Sequence, residues 1–258
     1  MTAARATGVE PWTPTELVTV MAARRLATTG VAFAGIGIPS AAAILARHTV
    51  AHDLYLVFES GTLGPRPTTL PRSVADEGLA STAHAIVSLP EVFSYWLAPE
   101  RIELGILGAG QVDRFGNVNS TTIGEYSRPR VRLPGAGGAP EIMTACRATM
   151  VVALHSPRVF VERVDFVTTL GHGDGAGHRA RLGLQTKGPK AVVTDLGVLE
   201  PDPETAELTL TALRHGATVD MVRGATGWHL AVAETLTYEP APTDSELATL
   251  RGLERAAG

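Results

Sequence analysis

Cysteine is almost absent from the sequence: Cys146 is the only one in 258 residues. One thiol cannot build a disulfide framework or a cysteine metal site, so a reducing, cytoplasmic compartment is the expectation. No apolar run approaches the roughly 18 residues of a membrane span, and none near the N-terminus reads as the core of a signal peptide. Basic charge is not in excess. Lys and Arg total 22 against 26 Asp and Glu, for a formal net charge of -4 and a pI near 6.1. That balance argues against nucleic acid and anionic membranes as partners. No G-x-S-x-G elbow accompanies His84 or His155, which leaves either of them a base without a nucleophile. His172 and His178 flank a glycine loop that would fix metal ligands poorly. They read as exposed loop histidines, and no metal is expected. Cys146 falls in an apolar helical segment and reads as a small core residue. There is no internal repeat and no interdomain linker. The expectation is one domain over residues 1–258, with a loose arm at 1–12 and a terminal helix at 243–258.

What is present is apolar and rich in glycine. Hydrophobic residues make up 45% of the chain, enough for a large core, and the 27 glycines and 17 prolines gather in a few loops. Clustered glycine suits backbone that must approach a ligand closely. Thr13-Pro14-Thr15-Glu16 reads as a helix start, with Glu16 closing a capping box, and Gly30 reads as the end of that helix. Strands are predicted at 31–34, 54–58, 102–107, 150–154, 158–161, 166–169 and 191–194. The pair 150–154 and 158–161 lies close enough for a hairpin, and 208–213 reads as a final strand near the sheet edge. Helices are predicted at 41–46, 91–97 and 141–146, the second with Phe93 and Trp96 packed inward. The glycine turn at 35–40 reads as tight packing or as a ligand contact. Residues 171–177 read as a flexible loop, and Thr243-Asp244-Ser245-Glu246 as a second capping box.

Residues 54–61 carry the functional reading. Leu54-Tyr55-Leu56-Val57-Phe58 is an apolar run of strand length, buried on both faces, and it runs into Glu59-Ser60-Gly61. A lone charge at the carboxyl end of such a strand sits where open α/β sheets bind ligands. Residues 108–124 are dense in Gly, Asn, Gln, Asp and Ser yet flanked by core strands. Their polar groups must find partners, and the block reads as a binding surface. The glycines at 135–138 precede a helix and leave N–H groups aimed at whatever lies in front, the geometry of an oxyanion hole. A glutamate with an ordinary pKa of ~4.3 is ionised at neutral pH and needs no base. It can attack a thioester, take the acyl group as a mixed anhydride and release coenzyme A thiolate. The thiolate then returns to give an enzyme–CoA thioester, from which an incoming acid collects the CoA. A structural or substrate-orienting carboxylate is the alternative. Arg72 suits a substrate carboxylate, a CoA phosphate or a surface ion pair.

Several blocks stand in one order. They are Glu59-Ser60-Gly61; Leu70-Pro71-Arg72-Ser73-Val74; Gln111-Val112-Asp113; and Gly116-Asn117-Val118-Asn119-Ser120-Thr121. After them come Gly135-Ala136-Gly137-Gly138-Ala139, Asp165-Phe166-Val167-Thr168, Arg181-Leu182-Gly183-Leu184 and Val193-Thr194-Asp195-Leu196-Gly197. From about Thr13 to Leu236 the ordered set resembles the β subunit of family I CoA-transferases of the glutaconate CoA-transferase type. The resemblance implies an open, mostly parallel α/β sheet with helices on both faces, in three layers. It implies Glu59 as the covalent glutamate and Gly137 and Gly138 as oxyanion donors. Ser60, Gly61, Arg72, Gly108, Gln111, Asn117, Asn119 and Ser120 are the expected substrate- and CoA-binding residues. CoA is a co-substrate and no other cofactor is implied. A separate α subunit would complete the cleft. Relatives on this fold include a decarboxylase with cysteine in place of the glutamate and ring-opening hydrolases that lack it, so the presence of Glu59 points to transfer. A CoA-ester decarboxylase or hydrolase, or a non-catalytic partner subunit, are the alternatives.

Overall fold

Thr13 does what its neighbours require of it. In the computed structural model, which describes residues 11–98 and 100–255, it caps α1 (Pro14–Arg24). The Glu16 N–H donates to Thr13 Oγ1 at 3.2 Å, and the Thr13 N–H donates to the Glu16 carboxylate at 2.7 Å. Residues 1–10 of the expected arm and 256–258 of the expected terminal helix lie outside the described residues. The helix stops at Arg24, well before Gly30, whose N–H is held instead by the Glu103 carboxylate at 2.8 Å.

The chain then alternates. β1 (Val31–Ala34) passes through a glycine turn into α2 (Ile38–Thr49) and back to β2 (Tyr55–Val57), parallel to β1. β3 (Thr62–Leu63) turns antiparallel onto β2. α3 (Glu77–Ser81) leads to β4 (Ala85–Ile86) at that edge. α4 (Leu89–Glu91) continues into a π-helical turn, Val92–Leu97. β5 (Leu104–Gly108) pairs parallel on the other side of β1. Two ribbons follow, β6 (Gln111–Val112) with β7 (Val118–Asn119), and β8 (Thr122–Ile123) with β9 (Val131–Arg132). After α5 (Ala139–Ala145), β10 (Ala148–Ala153) lies parallel to β5. α6 (His178–Arg181) precedes β11 (Pro189–Thr194), parallel to β10. β12 (Gly197–Pro201) and β13 (Leu208–Arg214) add antiparallel. α7 (Val219–Gly224) leads to β14 (Ala231–Glu239), parallel to β13, and α8 (Asp244–Arg255) follows. The sheet order is β14-β13-β12-β11-β10-β5-β1-β2-β3-β4.

Burial on both faces explains the apolar runs. Ala32, Ala34, Leu56, Leu104, Ile106, Met150, Val152, Ala191 and Val193 join one core with residues of α1, α2 and α8. Phe33, Val57, Leu107, Val151, Ala153 and Val192 join the other with α5, the π-helical turn, α7 and the first ribbon. The result is three layers around a parallel centre. α5 lies directly on the sheet: a Cβ at Gly105 would sit 2.6 Å from Ile142 Cγ2 and 3.0 Å from Cys146 Sγ. Cys146 is therefore core, and burial pushes its thiol pKa up, away from reactivity. No helix among the described residues is long and apolar enough to cross a membrane.

Other expectations need correction. The 150–154 segment forms no hairpin with 158–161, because both edges of β10 are occupied by β5 and β11. Segments 158–161 and 166–169 contribute only isolated bridges, Phe160 to Val112 and Thr169 to Val118. Phe160 is apolar for another reason: it is fully buried in the second core, its ring stacked on His155 at 3.8 Å between centroids and packed near Trp228. β13 is not the last strand, since β14 lies outside it. Residues 171–177 are tied down rather than loose. Asn117 Oδ1 accepts from the Gly171 and Gly173 N–H groups at 3.0 and 3.1 Å, and Asn117 Nδ2 donates to the Gly173 carbonyl at 2.8 Å. His172 and His178 are not free loop histidines either: His172 meets the Pro189 carbonyl at 2.9 Å and His178 meets Asp174 at 2.6 Å.

Candidate active site

Glu59 occupies the corner of a tight turn. The Gly61 N–H donates to the Phe58 carbonyl at 3.0 Å, and the Phe58 N–H donates to the Thr62 carbonyl at 3.1 Å. β2 therefore ends by folding straight back into β3. Gly61 has φ +93°, and a Cβ there would collide with the Val87 carbonyl. Only glycine closes this turn. Ser60 sits beside Glu59 with Oγ 3.3 Å from Thr62 Oγ1.

The half-buried Glu59 side chain borders a cavity of about 430 Å³. Its walls are the carboxyl ends of β1 and β5 (Phe33 to Ile36 and Leu107 to Gly110), segment 133–136, Gly138 and the start of α5. The chain leaves β1 for β2 on one side, while β5 flanks β1 on the other. The cavity thus opens where strand order reverses, the preferred ligand position in sheets of this kind. Among the described residues that line it, Glu59 and Ser120 are the only ones with polar side chains. Apolar walls of this kind strengthen any charge interaction inside.

The glycine segment faces the carboxylate. Gly138 is the N-cap of α5, and Gly137 has φ +49°. A Cβ at Gly137 would lie 3.5 Å from Glu59 Oε2, and one at Gly138 would lie 3.5 Å from Glu59 Cδ. Among the described residues, neither glycine N–H donates to a protein acceptor and the Glu59 carboxylate accepts no hydrogen bond. A carboxyl group and two backbone amides without a protein acceptor among the described residues thus lie at one edge of an apolar cavity. Such a set can attack a carbonyl carbon and hold the oxyanion that results.

The structure sorts the expected residues. Glu59, Gly108, Ser120 and Gly138 border the cavity, with Gly137 alongside. Ser60 and Gly61 shape the turn. Arg72 is exposed on its loop and does not line the cavity; its backbone N–H donates to Asp76 at 3.1 Å. Gln111 and Asn119 do not reach the cavity either: they are buried, and their amides are used on each other and on neighbours. Asn119 Nδ2 donates to Gln111 Oε1 at 2.7 Å and to the Thr122 carbonyl at 2.6 Å. Gln111 Oε1 also accepts from the Asp165 N–H at 3.1 Å. Asn117 borders a second cavity of about 670 Å³, and its amide is already bonded to Asp113 and the 171–173 backbone. Polar residues between core strands have found each other, as burial requires.

Phe93 was not expected here. Its ring lies against Gly138, with Cζ 2.6 Å from where a Cβ would stand. It is placed by the π-helical turn, a feature that often marks functional sites but leaves no local sequence signal. His155 lies away from this cavity. Burial lowers its pKa to about 4, and its ring nitrogens meet Thr194 and Thr226 hydroxyls at 3.1 and 3.0 Å. Among the described residues, no group of three or more His, Cys, Asp or Glu converges to hold a metal.

The family model for coenzyme A transferases matches residues 15–225. The chain is 49% identical over 239 residues to the B subunit of the 3-oxoadipate CoA-transferase from Pseudomonas knackmussii, covering 93% of this chain and 92% of that one. It is 34% identical over 248 residues to the B subunit of the glutaconate CoA-transferase from Acidaminococcus fermentans, covering 93% and 91%. The crystal structure of the Acidaminococcus fermentans glutaconate CoA-transferase superposes with a TM-score of 0.89 at 30% identity, over 96% of this chain and 97% of that one.

Proposed function

The chain belongs to the coenzyme A transferase family, and from that premise we propose that this β subunit moves CoA between two carboxylic acids with Glu59 as the covalent nucleophile. The observation that carries the proposal is the Glu59 carboxylate at the edge of an apolar cavity, packed 3.5 Å from where Cβ atoms on Gly137 and Gly138 would stand. A Glu59 oxygen attacks the thioester carbon of an acyl-CoA, and the carbonyl electrons move onto its oxygen. The two glycine amides hold that oxyanion, each donor contributing roughly 2.7–4 kcal/mol. Collapse expels the CoA thiolate and leaves an acyl–glutamyl anhydride. The thiolate then attacks Glu59 Cδ, the first acid leaves as its carboxylate, and a glutamyl–CoA thioester remains. A second carboxylate attacks Cδ and passes through the same two steps in reverse. It leaves as the new acyl-CoA, and Glu59 is regenerated as a carboxylate. No proton is consumed, so no general base is required.

The relatives carry the B-subunit name, and a separate α subunit is the partner that completes the cleft. 3-Oxoadipate is the first acid to test, because identity to the 3-oxoadipate enzyme exceeds that to the glutaconate enzyme. The buried single thiol fits a reducing cytoplasm. The test is to mix the αβ complex with an acyl-CoA and measure the intact mass of the β chain. A CoA adduct mapping to Glu59, together with CoA moving to a labelled second acid, supports transfer. Free CoA or CO2 appearing with no adduct would overturn it in favour of hydrolysis or decarboxylation.

A further inference from the structure

Gly137 and Gly138 lie in a segment with little stiffness of its own. Gly135 and Gly137 both have positive φ, at +107° and +49°, and a Cβ at Gly135 would touch nothing. Glycine at such positions gives the backbone wide freedom, yet an oxyanion donor must be held to a fraction of an ångström. Few tethers restrain the segment. The Leu133 N–H donates to the Thr121 carbonyl at 3.1 Å. The Gly135 N–H donates to the Ser120 carbonyl at 2.8 Å, and Ser120 Oγ donates back to the Gly135 carbonyl at 2.8 Å. The next bonds lie beyond or at the glycines themselves: Ala139 N–H to the Ala136 carbonyl at 3.0 Å and Ile142 N–H to the Gly138 carbonyl at 2.9 Å. Ser120 therefore grips Gly135 from both sides, just before the donors.

Ser120 is itself anchored to the buried amides. Its N–H donates to Thr168 Oγ1 at 2.9 Å. Thr168 Oγ1 lies 2.7 Å from Thr121 Oγ1 and 3.4 Å from Asn119 Oδ1. Asn119 Oδ1 also accepts from the Thr121 and Thr122 N–H groups at 2.9 and 3.2 Å. The chain of bonds runs from Gln111 through Asn119 and Thr168 to Ser120 and ends on Gly135.

Resting on the reading of Glu59 and the glycine amides as nucleophile and oxyanion donors, we propose that Ser120 is a positioning residue whose hydroxyl, fixed by this network, holds the donor segment in register with Glu59. It acts on the rate through Gly135 and does not bind CoA itself, even though it borders the cavity.

The test uses the αβ complex with Ser120→Ala and Ser120→Thr. Alanine should lower kcat roughly ten- to a hundredfold, with KM for acyl-CoA and acid changed less than about twofold. Glu59–CoA adduct formation should slow in parallel, and the melting midpoint should stay within about 4 °C of wild type. Threonine keeps the hydroxyl and should recover most of the rate. Amide hydrogen exchange in the peptide spanning 135–139 should quicken in the alanine variant and not in the threonine variant. A tenfold rise in KM for acyl-CoA at unchanged kcat would show direct CoA contact and overturn the proposal, as would unchanged exchange. The exchange readout does not depend on the chemistry. If wild type formed no Glu59 adduct while exchange behaved as expected, the covalent mechanism would fall and the clamp would stand.

Discussion

Gly138 is wedged between Glu59 and Phe93: a Cβ built on it would lie 3.5 Å from Cδ of the glutamate and 2.6 Å from Cζ of the ring. The carboxylate, the helix start and the aromatic backstop are thus packed around a position that has room only for hydrogen. Under the proposed mechanism, activity and packing at this point are one constraint.

Gly138→Ala should therefore cost turnover. The new methyl cannot occupy the ring's position, so the segment must move, and the amide donors move with it. The expected loss is about 10²-fold in kcat, of the size seen when an oxyanion donor is removed. Adding Phe93→Ala opens space on the crowded side. The double variant should be faster than Gly138→Ala alone, a coupling that a double-mutant cycle measures. Additive losses would show that the ring does not set the segment's position.

Glu59→Gln keeps the size of the side chain and removes its charge. No anhydride or thioester can form on it, and transfer should fall by more than about 10³-fold. The side chain is half-buried and makes no hydrogen bond among the described residues, so the melting temperature should not drop. Full turnover in this variant would leave the chain a non-catalytic subunit.

Acid should destabilise the protein partly through His155. Burial between the Thr194 and Thr226 hydroxyls and the Phe160 ring lowers its pKa to about 4 from an ordinary 6.5. Above the unfolded value neither state is protonated, and the contribution is intact. As pH falls from 6.5 towards 4 the unfolded chain binds a proton that the folded chain refuses. Up to about 3 kcal/mol is lost over that window, and nothing further below it. Urea midpoints measured at pH 7.5 and 4.5 should therefore differ more for wild type than for His155→Gln. Equal differences would remove His155 from the account.

Arg179 is a buried cation satisfied by neutral oxygens. Its guanidinium donates to the carbonyls of Leu170, Gly171, Met143 and Thr186 and to the Thr186 hydroxyl. Burial lowers its pKa. It ties the last turn of α5 to the 170–171 loop and to the approach to β11. Arg179→Met should cost about 3 kcal/mol, because several buried acceptors lose their donor at once. Arg179→Lys should rescue little, since one ammonium cannot span that fork. Chemical denaturation of the three proteins checks both statements.

Local signals carried much of this architecture. The Thr13–Glu16 capping box was legible, and so was its counterpart at α8, where the Thr243 N–H donates to Glu246 at 2.7 Å and the Glu246 N–H to Thr243 Oγ1 at 3.2 Å. Both span only three residues. The central strands were legible because two buried faces leave no room for polar residues. β14 was not, because all of its residues are exposed or half-buried and no apolar run marks it. Segment 158–161 misled for the opposite reason. It has the apolar content of a strand, but Phe160 fills the core between His155 and Trp228 from a loop, which periodicity cannot report.

By itself the sequence determined the apolar run that leads into Glu59, the glycine segment before α5 and the order of blocks that marks the family. Each of these depends on neighbours close along the chain, where geometry is nearly fixed by residue type. Only the tertiary structure decided that Gln111, Asn117 and Asn119 face inward. Gln111 pairs with Asp165 across 54 positions and Asn117 with Gly173 across 56. Nothing in a polar side chain says whether it will meet water, a ligand or a distant part of its own backbone. Desolvation sets that choice, and desolvation exists only once the layers have closed.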